Sequence, residues 1–248
     1  MIDRTVYRNP IALDRNEHRT LRLTRAIGEL SASAAANALF VTAVEFVDVC
    51  REYPVVFVRA GDEPGSGKSH IAPMAVLGLV QGENLYLDAR TWRATYIPAS
   101  LRRYPFAMAR VAEPSQLAVV IDRDWEGWSD VDGQPLFDVD GQPQPVLEQA
   151  RKFLEQFETE AERTRLFCAR LRDEELLQDM RFDATLPDGN KLTVEGFLTV
   201  NESKLAELPD AKVVELHRNG MLGLVHMQQS SLPLMRRLIE WRLARAAT

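Results

Sequence analysis

Residues 145–172 read PVLEQARKFLEQFETEAERTRLFCARLR, and this stretch decides the fold class. Its apolar residues recur every three or four positions: Leu147, Ala150, Leu154, Phe157, Ala161, Cys168 and Leu171. Glu, Gln and Arg fill the positions between them, so the pattern predicts a long amphipathic helix that buries one face. Pro145 suits the first turn of such a helix, and we expect the helix to end near Arg172.

The chain before this helix predicts strands. Between residues 39 and 121, short runs are rich in Val, Phe, Tyr and Leu: FVTAVEFV, YPVVFVRA, MAVLGLV, NLYLD, TWRATYI and LAVVI. Residues of these types favour strands, and Gly and Pro separate the runs at short intervals. We therefore expect a mainly antiparallel sheet in the N-terminal half.

The chain after the helix predicts a small hairpin and then short helices. Residues 182–200 alternate around LPDGN, where Asp188 and Gly189 are typical of a hairpin turn. From Asn201 onward we expect three helices, of which one breaks at Pro209, the next is capped by Gly220 and the last starts at Ser231. The order of sheet, long amphipathic helix, β-hairpin and C-terminal helices predicts an α+β fold.

Composition restricts the function classes. The 248 residues are 46% hydrophobic and 27% charged, as in ordinary folded proteins. The net charge of −6 supplies no positive field for nucleic acid, so we expect no nucleic-acid partner. The two cysteines, Cys50 and Cys168, form no CxxC pair, which predicts neither a zinc cluster nor a disulfide scaffold and favours a reducing compartment.

Neither a secretory signal nor a membrane span is predicted. Charged or polar residues interrupt the N-terminal residues 1–20 every few positions. The longest apolar stretch, residues 71–80, contains Pro73 and Gly78 and is far shorter than the roughly 20 residues that a bilayer requires. We expect a soluble, cytoplasmic protein, with non-classical export to the surface left open.

The loop GDEPGSGKS at residues 61–69 is similar to a P-loop, in which a glycine-rich turn, a Lys and a Ser hold phosphate. However, Asp62 occupies the position of the first P-loop glycine, and its carboxylate would repel phosphate. The following segment HIAPMAVLG predicts a strand where a P-loop requires a helix. We expect a surface hairpin loop, and nucleotide binding through Lys68 and Ser69 is the less favoured alternative.

An acidic stretch lies between residues 122 and 140, and DVDGQP occurs in it twice. Its carboxylates are of the type that calcium prefers: Asp122, Asp124, Glu126, Asp130, Asp132, Asp138 and Asp140. An EF-hand loop that began at Asp122 would have Gly127 at its sixth position, but its twelfth position is Gly133, where a bidentate Glu is required. Turns explain the same residues, so we predict no metal site and no cofactor and keep calcium as a minor alternative.

Two aromatic segments are the best candidates for a ligand or partner site. In YIPASLRRYPF, residues 96–106, Arg102 and Arg103 lie between Tyr96 and Tyr104. Arginine binds carboxylate or phosphate through its planar guanidinium, and aromatic neighbours add a stacking surface. The alternative is that one Arg pairs with a carboxylate of the chain while the aromatic residues form core.

Trp125 and Trp128 stand in the acidic stretch, where tryptophan is unexpected. They either pack over the edge of the core or face a ligand or a partner.

The final helix, from Ser231 onward, has an apolar stripe that includes Leu238 and Trp241 beside several arginines. It either folds back on the core, which we favour, or lies on an anionic membrane or a partner.

No catalytic constellation stands out. The histidines at 18, 70, 217 and 226 have no metal-ligand spacing, and no GxSxG or HExxH motif occurs. An enzyme remains a hypothesis only if distant residues meet, for example Arg51, Glu52 and Tyr53 beside the Arg102 region.

Several segments have the order and spacing of one family: IALDRNEHRTLRL, VEFVDVCREYPVVFV, AVLGL, NLYLD, YIPASLRRYPF, LFDVDGQP, FLEQFETEAERTRLFCARL and LPDGNKLTVEGFLTVNESKLAELPDAKVVELHRNG. Read together, they resemble the bacterial SapC family over nearly the whole chain. Members of that family carry surface-layer or peptide-transporter permease labels, and others look to be encoded beside flavin-dependent halogenase-like enzymes and outer-membrane receptors. The resemblance implies an accessory role and supplies no active-site residues. The GDEPGSGKS loop looks like an insertion between two family strands.

The sequence thus leads to three hypotheses. The first is an accessory or binding protein of the SapC type, which contacts a protein partner or a small acidic ligand through the region of Arg102, Arg103 and Tyr104 or through the loop of Trp125 and Trp128. The second is a surface-layer-associated protein with calcium-assisted assembly, and the third is an enzyme. We expect one domain over residues 1–248, with a subdivision into 1–143 and 144–248 and the oligomeric state left open.

Overall fold

The structure, a computed structural model, describes residues 2–62, 65, 67–89, 91–111, 116–185 and 191–246. Within these ranges the strands are β1 Pro10–Ala12, β2 Arg22–Leu23, β3 Ala38–Phe40, β4 Val55–Asp62, β5 Ser69–Val76, β6 Leu87–Asp88, β7 Thr91–Trp92, β8 Phe106–Val111, β9 Gln116–Asp122, β10 Trp128–Ser129, β11 Gln134–Pro135, β12 Leu177–Thr185 and β13 Lys191–Val200. The helices are α1 Phe46–Glu52, α2 Ala99–Arg102, α3 Pro145–Asp173, α4 Glu202–Ala206, α5 Asp210–Arg218, α6 Met221–Ser231 and α7 Met235–Ala246.

The chain forms two compact units, neither of which is continuous in sequence. Unit 1 comprises Met1–Ala35 and Ala99–Thr159, and unit 2 comprises Ala36–Pro98 and Glu160–Thr248. Helix α3 therefore contributes its first half to unit 1 and its second half to unit 2. The single domain over 1–248 and its alternative subdivision stay predictions.

Unit 1 contains two small antiparallel sheets, with the strand orders β1-β9-β8 and β10-β2-β11. Ile121 of the central strand β9 pairs with Ile11 on one side and with Phe106 on the other. The core of the unit is aromatic and aliphatic, and these side chains are fully buried: Tyr7, Leu101, Phe106, Ile121 and Leu136.

Unit 2 contains a five-stranded antiparallel sheet with the order β12-β13-β4-β5-β3. The two strands predicted within residues 182–200 are confirmed, although their turn, residues 186–190, lies outside the described residues. They do not stand apart from the N-terminal strands, because Leu198 of β13 pairs with Phe57 of β4. A pairing between strands so distant in sequence leaves no local signal, which is why the hairpin looked separate.

The strand predicted at FVTAVEFV is wrong beyond Phe40, where β3 ends. Helix α1 follows, and Phe46, Val49, Cys50 and Tyr53 are all buried. This spacing of three, four and seven residues is the helical period, and it outweighs the strand preference of the valines. Burial periodicity would have identified the helix where residue propensity did not.

Helix α6 precedes the last helix predicted from the sequence, which was expected from Ser231 onward, and was not itself predicted. Its buried face contains polar side chains, and Gln228 and Ser231 are both fully buried. Gln228 Nε2 donates to the Val55 carbonyl at 2.9 Å, and Ser231 Oγ accepts from the Val55 N–H at 2.9 Å. Because this face pairs with backbone of β4, it shows no apolar stripe in the sequence.

The long helix and the C-terminal helix agree with their predictions. Helix α3 runs over Pro145–Asp173, and Leu154, Phe157 and Leu171 of the predicted stripe are buried. Helix α7 folds back on its own unit, because Leu238 is fully buried and the Trp241 ring meets the Tyr86 ring edge-on at 5.0 Å. The α+β fold class is confirmed.

Candidate functional site

Local backbone geometry brings Ile27 beside the predicted arginine pair. The N–H of Gly28 donates to the Tyr104 carbonyl at 2.6 Å. Gly28 has φ +87°, and a Cβ at this position would lie 3.2 Å from the Arg102 carbonyl oxygen. Only glycine combines this left-handed backbone with so close an approach, so Gly28 fixes the segment next to α2.

The two neighbouring arginines stack on two phenylalanines of α3. The guanidinium carbon of Arg102 lies 5.3 Å from the Phe153 ring centre, and that of Arg103 lies 4.3 Å from the Phe157 ring centre. The phenylalanines are four residues apart and therefore share one face of the helix. Adjacent arginines thus meet adjacent turns of α3.

The environments of these two arginines differ. Arg103 is only 4% exposed, and its guanidinium donates to Glu158 Oε1 at 3.4 Å. Its charge is therefore offset by a carboxylate of its own unit. Arg102 is exposed. Arg103 thus pairs with a carboxylate of the chain, as one of the two alternatives for this segment expected. Arg102 is the arginine of the pair that is exposed to solvent.

Arg102 lines a cleft of ≈ 220 Å³ in unit 1. Its apolar walls come from several elements of that unit: Ile27, Phe106, Ala150, Phe153 and Leu154. Gln149 adds an amide, and Arg103 lines the cleft as well. The combination of apolar walls with a few polar groups is that of a small-ligand site.

Tyr104 is not among the residues that line this cleft and belongs to a buried hydrogen-bond network. Its hydroxyl donates to Asp122 Oδ2 at 2.9 Å, and Asp122 is fully buried. The same carboxylate accepts the backbone N–H groups of Arg8 and Asn9 at 3.0 and 2.8 Å. Burial, together with the Asp122 carboxylate, raises the pKa of Tyr104. Tyr104 and Asp122 therefore join segments of unit 1 rather than face solvent.

Trp125 and Trp128 pack over the core edge, one of the two alternatives for them. Their rings meet edge-on at 4.9 Å, and Trp125 is 6% exposed. The indole N–H of Trp125 donates to Glu29 Oε2 at 2.6 Å, and that of Trp128 donates to the Asp122 carbonyl at 2.8 Å. Burial alone would raise the pKa of Glu29, but hydrogen bonds from Ser31, Trp125 and Arg25 lower it.

Tyr96 belongs to unit 2, whereas the other site residues proposed from the sequence belong to unit 1. Its hydroxyl donates to Glu45 Oε1 at 2.9 Å, and its N–H donates to Glu52 Oε1 at 2.9 Å. Glu52 also accepts the N–H of Thr95 at 2.6 Å. The second carboxylate oxygen of Glu45 accepts the Thr42 N–H at 2.8 Å. Tyr96 is therefore part of a local framework that anchors residues 95–96.

Of the three residues that the enzyme hypothesis named, Tyr53 and Glu52 have structural partners within unit 2. Tyr53 is fully buried, donates its hydroxyl to the Tyr96 carbonyl and accepts from the Trp92 indole at 2.6 Å. Burial raises its pKa, so the hydroxyl stays protonated. Glu52 binds the backbone amides described above, and Arg51 is exposed.

The loop that was compared with a P-loop connects two strands. Asp62 ends β4, and Ser69 begins β5, so a strand follows the lysine where a P-loop requires a helix. Lys68 Nζ lies 2.8 Å from Asp173 Oδ1, and Ser69 Oγ donates to Asp62 Oδ1 at 3.1 Å. Residues 63, 64 and 66 of the loop lie outside the described residues.

The acidic carboxylates and the thiols also have structural environments. Asp138 Oδ1 accepts the N–H groups of Asp140 and Gln142, both at 2.8 Å. In the described ranges, no group of three or more His, Cys, Asp or Glu side chains is placed to hold a metal ion. Burial raises the pKa of both Cys50 and Cys168 to about 12, so neither is a thiolate at neutral pH.

Three residues that line the cleft, Ile27, Gln149 and Phe153, were not predicted from the sequence. Phe153 stands next to Leu154 at the border of the helical stripe, and an aromatic residue at that border is a usable signal. Ile27 gives no such signal, because the turn at Gly28 alone brings it to the arginines.

Comparison with known proteins identifies a family. A family model described as SapC matches residues 13–238. No curated protein is significantly similar to the chain, and neither is any solved structure. Every helix in the described part of the chain is too short or too polar to span a bilayer. Because the family match covers most of its length, the chain belongs to the SapC family.

Proposed function

We propose that this SapC family member is a soluble, non-catalytic accessory protein that binds an acidic group at the Arg102 cleft. The observation that carries the proposal is the exposed residue Arg102, which lines a largely apolar cleft and whose guanidinium stacks on Phe153. A guanidinium binds carboxylate through paired hydrogen bonds, and an apolar surrounding strengthens such bonds. The acidic group belongs to a protein partner or to a small ligand.

The accessory role is supported by the state of the reactive side chains. Cys50 and Cys168 are buried thiols with raised pKa, and Glu52 and Tyr53 are engaged in bonds that hold loops together. A catalytic group needs access to substrate and a pKa near the working pH.

The partner class and the compartment are part of the proposal and draw on the sequence. The family resemblance implies a flavin-dependent halogenase-like enzyme or an envelope receptor or transport system as the partner. We propose a cytoplasmic location and no nucleic-acid partner, in line with the net charge of −6. The alternative of calcium-assisted surface-layer assembly has less support, since carboxylates such as Asp122 and Asp138 are acceptors within turns and networks.

The test is recovery of the tagged protein from its native host at low salt, with mass spectrometry of the proteins and small molecules that accompany it. Arg102→Ala should lose the specific companion, whereas Arg151→Ala should keep it. Arg151 is a matched control, because it is an exposed arginine of α3, pairs with Glu155 and does not line the cleft. Retention of every companion by Arg102→Ala would refute the site.

A second measurement addresses the surface-layer alternative. Fractionation of host cells should place the protein in the cytosol, and added calcium should leave its melting temperature unchanged. Protein in the envelope fraction with a calcium-dependent rise in melting temperature would replace the accessory proposal.

A further inference from the structure

We infer that a second site, in unit 2, binds a small apolar molecule that carries an ammonium group. The site is a groove of ≈ 560 Å³ lined by residues of the three short helices α4, α5 and α6, and we call it the helical groove. All of its lining residues lie between Glu202 and Gln229. The inference goes beyond the proposed function, which concerns the Arg102 cleft of unit 1.

The walls of the helical groove are apolar, and most of them are open to solvent. Six apolar residues line it: Leu205, Ala206, Leu208, Val213, Leu216 and Leu222. Of these, Leu216 is buried, Ala206 is exposed, and the other four are half-buried. A ligand with an apolar body would remove this uncovered hydrocarbon surface from water, which is the main favourable term in association.

Helix α6 adds a polar edge to the groove. His226 and Gln229 follow Leu222 by four and seven residues, so the three side chains share one face of the helix. His226 Nδ1 lies 3.2 Å from Gln229 Oε1. Because an amide oxygen only accepts, Nδ1 carries the hydrogen in this contact, and Nε2 of the neutral imidazole is then an acceptor.

The charge of the groove comes from one carboxylate. Glu202, in the first turn of α4, is the one Asp, Glu, Lys or Arg among the described residues that line the groove. Within the described part of the chain its side chain is exposed and forms neither a hydrogen bond nor an ion pair. An ammonium group matches this lining, since it carries one positive charge and donates three hydrogen bonds to acceptors such as Glu202 and His226 Nε2.

The size of the groove indicates a small molecule. Its volume of ≈ 560 Å³ lies within the range of roughly 300–1,000 Å³ that small-ligand pockets occupy. A fused-ring body such as an indole fits this space. The ligand class is therefore a hydrophobic amine, opposite in charge to the acidic group proposed for the Arg102 cleft.

The test is calorimetric titration of the full chain with tryptamine, which joins an ammonium group to an indole ring. Tryptophol replaces the ammonium group by a hydroxyl, and methylammonium lacks the ring. We expect tryptamine to bind about fivefold more tightly than tryptophol, the upper end for an exposed ion pair, and methylammonium to bind more weakly than both. Absence of tryptamine binding would overturn the inference, as would equal binding of either control.

A pair of glutamate variants tests the role of the charge. Glu202→Gln should weaken tryptamine binding about fivefold and leave tryptophol binding unchanged, whereas Glu207→Gln should change neither. Glu207 is a matched control, because it is an exposed glutamate at the C-terminal end of the same helix and does not line the groove. Thermal melts check that both variants are folded. Equal tryptamine affinity in Glu202→Gln and the unchanged protein would overturn the inference.

A blocking variant locates the binding. Ala206 is exposed and lines the groove, so Ala206→Phe should fill the groove without disturbing the core and abolish binding of both indoles. Tryptamine binding that survives Ala206→Phe would place the site elsewhere and overturn the inference. If tryptamine does not bind and Ala206→Phe instead loses a companion protein from the host, the groove holds a protein partner and the inference is wrong.

Arg102→Ala separates this inference from the proposed function. It should leave tryptamine binding unchanged, and a loss of that binding would assign tryptamine to the Arg102 cleft and overturn the inference. If tryptamine fails to bind while Arg102→Ala still loses its host companion, the accessory function stands and only the amine site is wrong.

Discussion

Each unit of the molecule places arginines over aromatic rings, but the two clusters use them differently. In unit 2, Arg93 and Arg237 lie 5.2 and 5.0 Å from the centre of the Trp241 ring. Arg237 donates to the Glu52 carbonyl at the end of α1, and Arg93 pairs with Asp88 at 2.9 Å. These arginines connect α7 to other parts of unit 2.

In unit 1 the two arginines of the corresponding pair lie in different environments. Arg103 is buried over Phe157 beside Glu158, as a structural residue, whereas Arg102 is exposed over Phe153 in a cleft. Both units thus pair arginines with aromatic rings, which are phenylalanines in unit 1 and a tryptophan in unit 2. The difference teaches that an arginine–aromatic pattern indicates binding only where the guanidinium remains accessible, and accessibility depends on the whole fold.

High pH should produce the largest effect, because each unit contains a buried tyrosine with a raised pKa. Burial raises the pKa of Tyr7 in unit 1 and of Tyr86 in unit 2 from 10.0 to about 12. The unfolded chain then releases these protons first, so stability is intact below about pH 10 and falls as the pH rises towards 12. Each tyrosine contributes about 2–3 kcal/mol of this loss.

Urea unfolding between pH 9 and 12 measures the effect, and tyrosinate absorbance follows ionisation. Tyr7→Phe and Tyr86→Phe should each flatten the pH dependence by a similar amount. If Tyr7 ionised near pH 10 in the folded protein while Tyr86 stayed protonated, only the tyrosine of unit 2 would be shielded from solvent.

Arg103→Ala should be the most destabilising of the arginine substitutions. It leaves Glu158 without its partner and removes the guanidinium from the Phe157 ring, at a cost of about 3 kcal/mol. Denaturant unfolding at pH 7 measures the change. A cost below about 0.5 kcal/mol, the usual limit for surface substitutions, would place Arg103 in the same class as Arg102 and remove the contrast within unit 1.

Trp241→Ala tests the cluster of unit 2. The substitution removes the edge contact with Tyr86 and the ring below Arg93 and Arg237, and because Trp241 is only half-buried we expect a cost of about 2 kcal/mol. Trp241→Phe keeps an aromatic ring and should cost clearly less. Equal losses in the two variants, measured by thermal and urea unfolding, would mean that the arginine–ring contacts contribute nothing.

Arg102→Ala should have the smallest effect on stability. Its side chain is exposed, and we expect a change in the free energy of unfolding within about 0.5 kcal/mol. The same variant should lose ligand binding, so the binding measurement should change while the free energy of unfolding stays nearly constant. A loss of stability as large as that of Arg103→Ala would make Arg102 a structural residue and leave the cleft without its binding group.

The sequence alone predicted the fold class and the longest helix, because the α3 stripe repeats over many turns. It failed at α1, where valines suggested a strand, and at α6, where Gln228 and Ser231 form a polar buried face. Local propensity misleads at α6 because the polar side chains of Gln228 and Ser231 bind the backbone of Val55, which lies in a strand distant in sequence.

The site was predictable only in part, for the same reason. The sequence singled out Arg102 and Arg103 as a pair, but Glu158 and Phe157, far along the chain, decide that Arg103 is buried. Trp125 shows the same limit, because its partner Glu29 comes from another segment of unit 1.

The discontinuous division of the chain sets the order in which the parts become available during synthesis. The chain passes between the units at residues 35–36, 98–99 and 159–160. All of unit 1 has therefore been synthesised once the ribosome passes Thr159, whereas β12 and β13, two of the five strands in the sheet of unit 2, are still missing. Unit 1, which holds the cleft, can thus fold first, whereas the edge of β4 stays unpaired until its partner strand β13 has been synthesised.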